Sequence, residues 1–573
     1  RCVIMKNIPL YEVRQISTLK EMLNDSVKIY SDHAAFLVKT EEGGPYKPIT
    51  YSKFRDDVNA LGTAFIDTGL GNSRIAIISE NRYEWAVTYL ATVNGSGIVV
   101  PLDKELPVSE LKNLLIRSKA DAVVYSKAKS ADVESIASEI PNLKYLISMD
   151  ISSKTDSVYS YNELLNKGYE LVKNGDKSFL DAEIDNEGMS ILLFTSGTTD
   201  KSKAVMLSHH NICSNLMDMC SMLFIGEEDV FLMLLPLHHT YACTCGFLCQ
   251  IYRGCTIAFC EGLRHIVKNL KESKTTILLT VPLILEAMHK RIWDQASKDP
   301  KTLKKLKLGL KISKILKAVG IDVRRKLFSQ VIDNFGGAIR MFISGGAAID
   351  PQVIQGFQDF GIHCLQGYGL TECSPIIALN RDCDYNNGSA GLPVPHTEIK
   401  IENPNEESIG EIIAKGPNIM LGYYENEEAT KEAVVDGWFH TGDLGYMDSE
   451  DFVYITGRKK NVIVTKNGKN IYPEEIETLL GRSPFIAECL VYGKTGEGTG
   501  EIEVAAEVYP DMEKVIETLG SENPTLEQIR KLIDAEVHKV NKSLVLYKYI
   551  RHFTVREQEF EKTTSKKIIR QYK

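Results

Sequence analysis

The sequence predicts an α/β protein, with a large N-terminal body of layered sheets and helices followed by a small α+β domain. Two observations predict the body: short apolar runs alternate with helix-period segments over the first three quarters of the 573 residues, and the runs stay apolar throughout, as strands buried in largely parallel sheets do. A third predicts the smaller domain. After Gly457 the texture changes to turn and helix signals within about a hundred residues, a common domain size.

Taken in order, Ile75–Ile78, Ala122–Tyr125, Tyr145–Ile147, Ile191–Phe194, Ile277–Leu279 and Met341–Ile343 are expected as buried strands. Leu111–Ser118 and Val353–Phe360 are expected as helices between them. Asn467-Gly468 is a hairpin turn signal, Pro473-Glu474-Glu475 opens a helix, and Leu526–Val540 forms another. The boundary is therefore drawn as 1–457 and 458–573.

Composition excludes some classes of function. With 43% hydrophobic and 25% charged residues, the chain can bury a core without staples. Its 12 cysteines have no framework spacing, which fits free thiols in a reducing cytoplasm. A net charge of −9 argues against nucleic acid as a partner. No apolar run approaches the roughly 18 residues of a membrane span, and the first residues lack a signal-peptide core.

The chemistry-bearing residues begin after the strand Ile191–Phe194, with Thr195-Ser196-Gly197-Thr198-Thr199-Asp200-Lys201-Ser202-Lys203. Hydroxyls and backbone N–H groups in such a loop cradle phosphate oxygens, and a lysine offsets their charge. The nucleotide-hydrolase pattern G-x-x-x-x-G-K-[ST] fails here because its second glycine is missing. Alone, the segment reads equally well as a Ser/Thr-rich surface loop. Downstream stand Ser344-Gly345-Gly346-Ala347-Ala348, Tyr368-Gly369-Leu370-Thr371-Glu372, Trp438-Phe439-His440-Thr441-Gly442-Asp443, Gly457-Arg458-Lys459-Lys460 and the terminal Glu561-Lys562-Thr563-Thr564-Ser565-Lys566-Lys567.

This ordered set resembles the AMP-forming acyl-CoA synthetases, in the superfamily with nonribosomal peptide adenylation domains and beetle luciferases, and is most similar to bacterial long-chain fatty acyl-CoA synthetases. The resemblance implies a multi-subdomain adenylate-forming body and a mobile C-terminal lid. It implies ATP, Mg²⁺ and coenzyme A as cofactors and a fatty acid as substrate. Thr195, Ser196, Gly197, Thr198, Thr199 and Lys203 would hold the β- and γ-phosphates, Thr371 the α-phosphate and Glu372 the Mg²⁺. Tyr368 and Gly369 would lie against adenine, with Gly345, Gly346, Ala347 and Gln366 around it. Asp443 and Arg458 would take the ribose. Lys567 would bridge the acid and the α-phosphate, Lys460 would be the hinge, and His239 would lie beside the reacting carboxyl.

The sequence departs from the family where Asp200, Ser202 and Ala204 replace Gly, Pro and Gly, and where Glu561 and Lys566 precede and interrupt the terminal motif. Asp200 brings a like charge toward a triphosphate, and Ala204 is expected to cost backbone freedom. These changes motivate one rival, a non-catalytic nucleotide- or acyl-binding relative. A second rival delivers the acyl group to an acyl-carrier protein.

Two further segments stand out. His238, His239, Cys243, Cys245 and Cys249 are metal-ligand types, but their spacing matches no common zinc pattern. The small residues Ala242, Cys243, Cys245 and Gly246 are instead expected to leave room for an acyl chain, near Val281-Pro282-Leu283. Residues 301–326 hold ten Lys and Arg and one acid, Asp322, with Leu303, Leu306, Leu310, Ile315, Leu316 and Val319 as a helical stripe. That pattern fits either a surface helix packed on a core or peripheral contact at the inner face of the membrane.

Overall fold

A computed structural model describes residues 10–95, 97–195, 202–465, 469–496, 502–562 and 568–570. The chain divides into two compact units, residues 1–399 with 414–439, and residues 400–413 with 440–573. The sequence boundary at 457/458 differs from this division in where it puts 400–413 and 440–457. The reason is pairing: Trp438–Met447 runs antiparallel to Val453–Arg458, and Thr441 Oγ1 donates to the Ile412 carbonyl at 2.7 Å.

The first unit holds two large sheets. The eight-stranded sheet runs Gly422–Tyr423, Lys203–Ser208, Met189–Thr195, Ile98–Pro101, Arg74–Ile78, Ala122–Tyr125, Tyr145–Ser148 and Val158–Ser160. Its other pairings are parallel, and Lys203–Ser208 runs antiparallel to both of its neighbours, Gly422–Tyr423 and Met189–Thr195. The nine-stranded sheet carries Ile277–Thr280, Met341–Ser344 and His363–Gly369 side by side in parallel. The apolar runs thus fall into two sheets, and their near-continuous burial is what strands inside parallel sheets show. Ile77, Val123 and Leu278 are all fully buried.

Helices Val108–Ser118 and Pro351–Asp359 match the expected segments. The basic segment divides into helices Pro300–Ala318 and Arg324–Leu327. In the first, Leu306 and Leu310 pack on the core, but Ile315 and Val319 are 67% and 68% exposed. Of the expected stripe, Leu303, Leu306, Leu310 and Leu316 are half-buried, whereas Ile315 and Val319 turn outward. Gly309 and Ser313 face inward, and Leu308, Ile312, Ile315 and Val319 line an outward face among seven exposed lysines.

In the second unit, Ile486–Thr495 pairs antiparallel with Ile502–Pro510, which pairs parallel with Ile550–Val555. The parallel pair requires a crossover, supplied by Met512–Leu519 and Leu526–Asn541, the latter opened by a Thr525/Gln528 capping box. Pro473–Leu480 begins with proline at its first position, as the sequence suggests, and Ile476, Val508 and Ile533 share its core. Ile463–Val464 and Asn470–Ile471 pair antiparallel, while Asn467-Gly468 lies outside the described residues. Among the described residues no helix is long and apolar enough to cross a membrane.

Candidate active site

In the first unit, strands Met189–Thr195 and Lys203–Ser208 bracket the hydroxyl-rich loop. Thr195 pairs with Lys203 across the strand ends. Ser196, Gly197, Thr198, Thr199 and Asp200 lie outside the described residues. At the loop's far end, Arg117 donates to the Ser202 hydroxyl at 3.0 Å and to its carbonyl at 2.8 Å. A charge-assisted pair of bonds thus holds a position where the family usually has proline. Ala204 corrects an expectation. It sits in an ordinary strand opposite Phe194, 3% exposed, so the backbone there needs no glycine.

Lys203 also meets the acidic motif through a residue the sequence did not single out. Its Nζ lies 4.4 Å from the centroid of the Tyr423 ring, and the Tyr423 hydroxyl donates to Glu372 Oε1 at 3.0 Å. Glu372 and Thr371 are half-buried on a 3₁₀ turn directly after the strand His363–Gly369. The Met420 N–H donates to the Glu372 carbonyl at 2.8 Å, fixing that turn from the same strand edge. Nothing in the sequence signals that Tyr423 spans 51 residues to reach Glu372.

Tyr368 and Gly369 end the same strand. Gly369 allows close approach, since a Cβ there would lie 2.0 Å from the Pro375 carbonyl oxygen. On the neighbouring strand end, a Cβ at Gly345 would strike the Tyr241 ring at 2.5 Å, Gly346 has φ of +85°, and Ala347 is exposed. Gln366 is engaged within the protein. Its amide nitrogen donates to the Asn387 and Ser389 carbonyls at 3.1 and 2.8 Å, tying down a loop.

His239 is half-buried, its ring 4.2 Å from that of His238. Burial holds His238 well below the usual imidazole range, aided by His239 and Lys104. Behind them Tyr241–Leu248 is a π-helix with Ala242, Cys243, Cys245 and Gly246 all buried. Such helices recur at functional sites. Small cavities lie on two sides of it, one beside Gly246, Met233 and Leu279, the other beside Cys243, Thr244 and Tyr89. Burial pushes the Cys243 thiol up to about 12, so it packs as a hydrophobe rather than as a thiolate ligand.

In the second unit, Arg458 Nε lies 2.7 Å from Asp443 Oδ1 on directly paired strand positions. Asp443 is 6% exposed. Its backbone N–H donates to Thr441 Oγ1, and Gly442 before it has φ of +71°, a left-handed position inside the strand Trp438–Met447 that glycine accommodates. Among the described residues, Glu402, Glu411 and His440 form the one cluster close enough to share a metal ion. Lys459 already supplies a cation there, 2.8 Å from Glu411. Burial works against the Glu411 charge, but Lys459 outweighs it and holds the carboxyl below its usual range. Lys460 is exposed in the turn Lys459–Asn461. Lys567 lies outside the described residues. Beside it, Lys562 and Ile568 form an antiparallel bridge, and Arg570 donates to both Glu477 carboxylate oxygens at 2.8 and 2.6 Å.

A unit built on two large sheets, together with a smaller α+β unit, has the architecture of an adenylate-forming fold. The solved anthranilate CoA ligase AuaEII, in complex with anthranoyl-AMP, has that fold, with a TM-score of 0.75 at 19% identity, covering 99% of this chain and 97% of its own. The chain belongs to the AMP-binding enzyme family, whose model matches residues 23–424, and the AMP-binding enzyme C-terminal domain matches residues 460–572. It is 31% identical to long-chain-fatty-acid–CoA ligase 5 of Rattus norvegicus over 85% of this chain and 75% of that one. It is 27% identical to a long-chain-fatty-acid–CoA ligase of Escherichia coli O6:H1 over 84% of each.

Proposed function

We propose that this chain activates a fatty acid with ATP through an acyl-adenylate and transfers the acyl group to coenzyme A, releasing AMP and pyrophosphate. The observation that carries the reading is the convergence of Lys203 and Glu372 on Tyr423 beside the hydroxyl-rich loop, in a chain of the AMP-binding enzyme family. A carboxylate attacking an α-phosphate brings two anions together, so the site must offset negative charge and hold in-line geometry. Lys203 and the loop residues 195–199 take the outer phosphates, and Thr371 takes the α-phosphate. Tyr368, Gly369, Gly345, Gly346, Ala347 and Gln366 frame the base, and Asp443 and Arg458 the ribose. The Glu372 carboxylate, a hard oxygen donor oriented by Tyr423, suits Mg²⁺, which when bound offsets phosphate charge.

Lys567 bridges carboxylate and α-phosphate in the first half-reaction, and Lys460 is the pivot of a lid spanning 458–573 between the two. His239 borders the reacting carboxyl, and the acyl chain runs along the π-helix Tyr241–Leu248. With Ala204 in regular strand geometry, the case for a non-catalytic relative narrows to Asp200. Pyrophosphate release measured on acids of graded length, with coenzyme A, with an acyl-carrier protein and with neither, tests the reading. Acid-dependent release and thioester on coenzyme A are expected. Thioester on the carrier alone would move the acceptor, and no release with any acid would remove the activity.

A second reading concerns place. Leu308, Ile312, Ile315 and Val319 turn outward among seven lysines, which suits peripheral contact with an anionic membrane from the cytoplasmic side.

A further inference from the structure

The strand carrying Tyr423 is very short, Gly422–Tyr423, yet it is fixed from several directions. Gly422 and Tyr423 pair with Met206 and Val205, and the Tyr424 N–H donates to the Ala204 carbonyl at 2.8 Å. The Tyr423 N–H is taken by Thr430 Oγ1 at 2.9 Å, and Gly422, with φ of +140°, leaves that threonine room. The phenol ring is thereby placed with 5% exposure. Lys203 lies two residues before the Tyr423 partner Val205, so both side chains stand on the same face of the sheet. Its ammonium rests on the ring, the favourable side for a cation. The ring's far end donates to Glu372. Among the described residues, Lys203 and Glu372 form no ion pair with each other. Without an aromatic wedge, opposite charges this near would collapse together, and each would neutralise the group meant for the nucleotide.

We propose that Tyr423 is a positioning residue for nucleotide binding, holding the Lys203 ammonium and the Glu372 carboxylate apart and aimed, so that phosphate and metal each meet a partner already placed. The two halves of the tyrosine do separable work. The hydroxyl orients the carboxylate, and the ring face carries the lysine. This rests on the proposed roles of Lys203 and Glu372.

The test is ATP affinity of the full chain by calorimetry, once in Mg²⁺ and once in EDTA, for wild type, Tyr423→Phe, Tyr423→Leu, Glu372→Gln and Tyr423→Phe/Glu372→Gln. Loss of one hydrogen bond to a charged group corresponds to about tenfold or more in affinity. Tyr423→Phe should lose about tenfold in Mg²⁺ and keep its affinity in EDTA. Tyr423→Leu should weaken binding in EDTA as well. The double variant should bind no more weakly than Glu372→Gln alone, because the hydroxyl acts through that carboxylate. Equal loss in both media for Tyr423→Phe, or wild-type affinity in both, overturns the proposal. Should Tyr423→Leu fail to fold, Tyr423→Phe and the double variant still decide it. Wild-type Mg²⁺ dependence in Glu372→Gln would instead remove Glu372 from the metal site and so overturn the reading beneath.

Discussion

Asp443 and Arg458 occupy directly opposed positions on antiparallel strands, their side chains joined at 2.7 Å, with the aspartate buried and the arginine 51% exposed. In the proposed function this fixed carboxylate accepts from a ribose hydroxyl. Asp443→Ala should weaken ATP binding by about 1.5–3 kcal/mol, the usual cost of losing a charged acceptor. Calorimetry decides it, and unchanged affinity takes Asp443 out of the site.

Gly246 is closely packed, with less room than an ordinary side-chain contact needs. A Cβ there would sit 3.2 Å from Met233 Cε and 3.4 Å from Leu279. Gly246→Trp should therefore block the space beside the π-helix, cutting activity on long acids more than on short ones. With the fold intact by circular dichroism, equal loss at every chain length would put the acyl chain elsewhere.

The outward face of Pro300–Ala318 predicts sedimentation with anionic vesicles that falls as salt rises, since charge attraction is screened over about 10 Å at 0.1 M. Glu at Lys304, Lys305 and Lys307 together should abolish it, and Ile315→Ser should weaken it without changing its salt dependence. A helix that ignores vesicles at low salt is only solvated.

His209 is buried with both ring nitrogens used: Nδ1 accepts from the Leu19 N–H at 3.0 Å, and Nε2 faces the Val93 carbonyl at 3.1 Å. Burial lowers it from 6.5 to about 4. Because the folded value is depressed, its stabilising effect is complete above 6.5 and is lost as pH falls toward 4. At about 1.4 kcal/mol per pH unit, that amounts to about 3 kcal/mol. His209→Gln keeps one acceptor and one donor without titrating. Thermal unfolding of this variant should vary less with pH across that window, and an unchanged slope would exonerate the histidine.

Lys567 and Lys460 should separate the half-reactions. Lys567→Ala should slow adenylation by orders of magnitude, as for a preorganised charge worth about 3–4 kcal/mol in the transition state, yet make thioester from synthetic acyl-adenylate near the wild-type rate. Lys460→Pro, restricting φ at the pivot, should spare adenylation and block thioester formation. Full-speed adenylation by Lys567→Ala would end the bridging role.

Much of this was legible in the chain. The runs at Ile75, Ala122 and Met341 are strands because apolar residues without alternation must be covered on both faces, and Pro473 opens its helix because the first turn needs no N–H there. The ordered motifs around Lys203, Glu372 and Asp443 carried the resemblance to the family to which the chain belongs, and their roles toward phosphate, metal and ribose are the proposal above. Tertiary structure alone decided the rest. It divided the strand series between two sheets, seated Ala204 in a strand, turned Ile315 and Val319 outward, and set Tyr423 between Lys203 and Glu372. Periodicity records which residues prefer burial, but not which distant strand or side chain will meet them. That choice belongs to long-range pairing and packing.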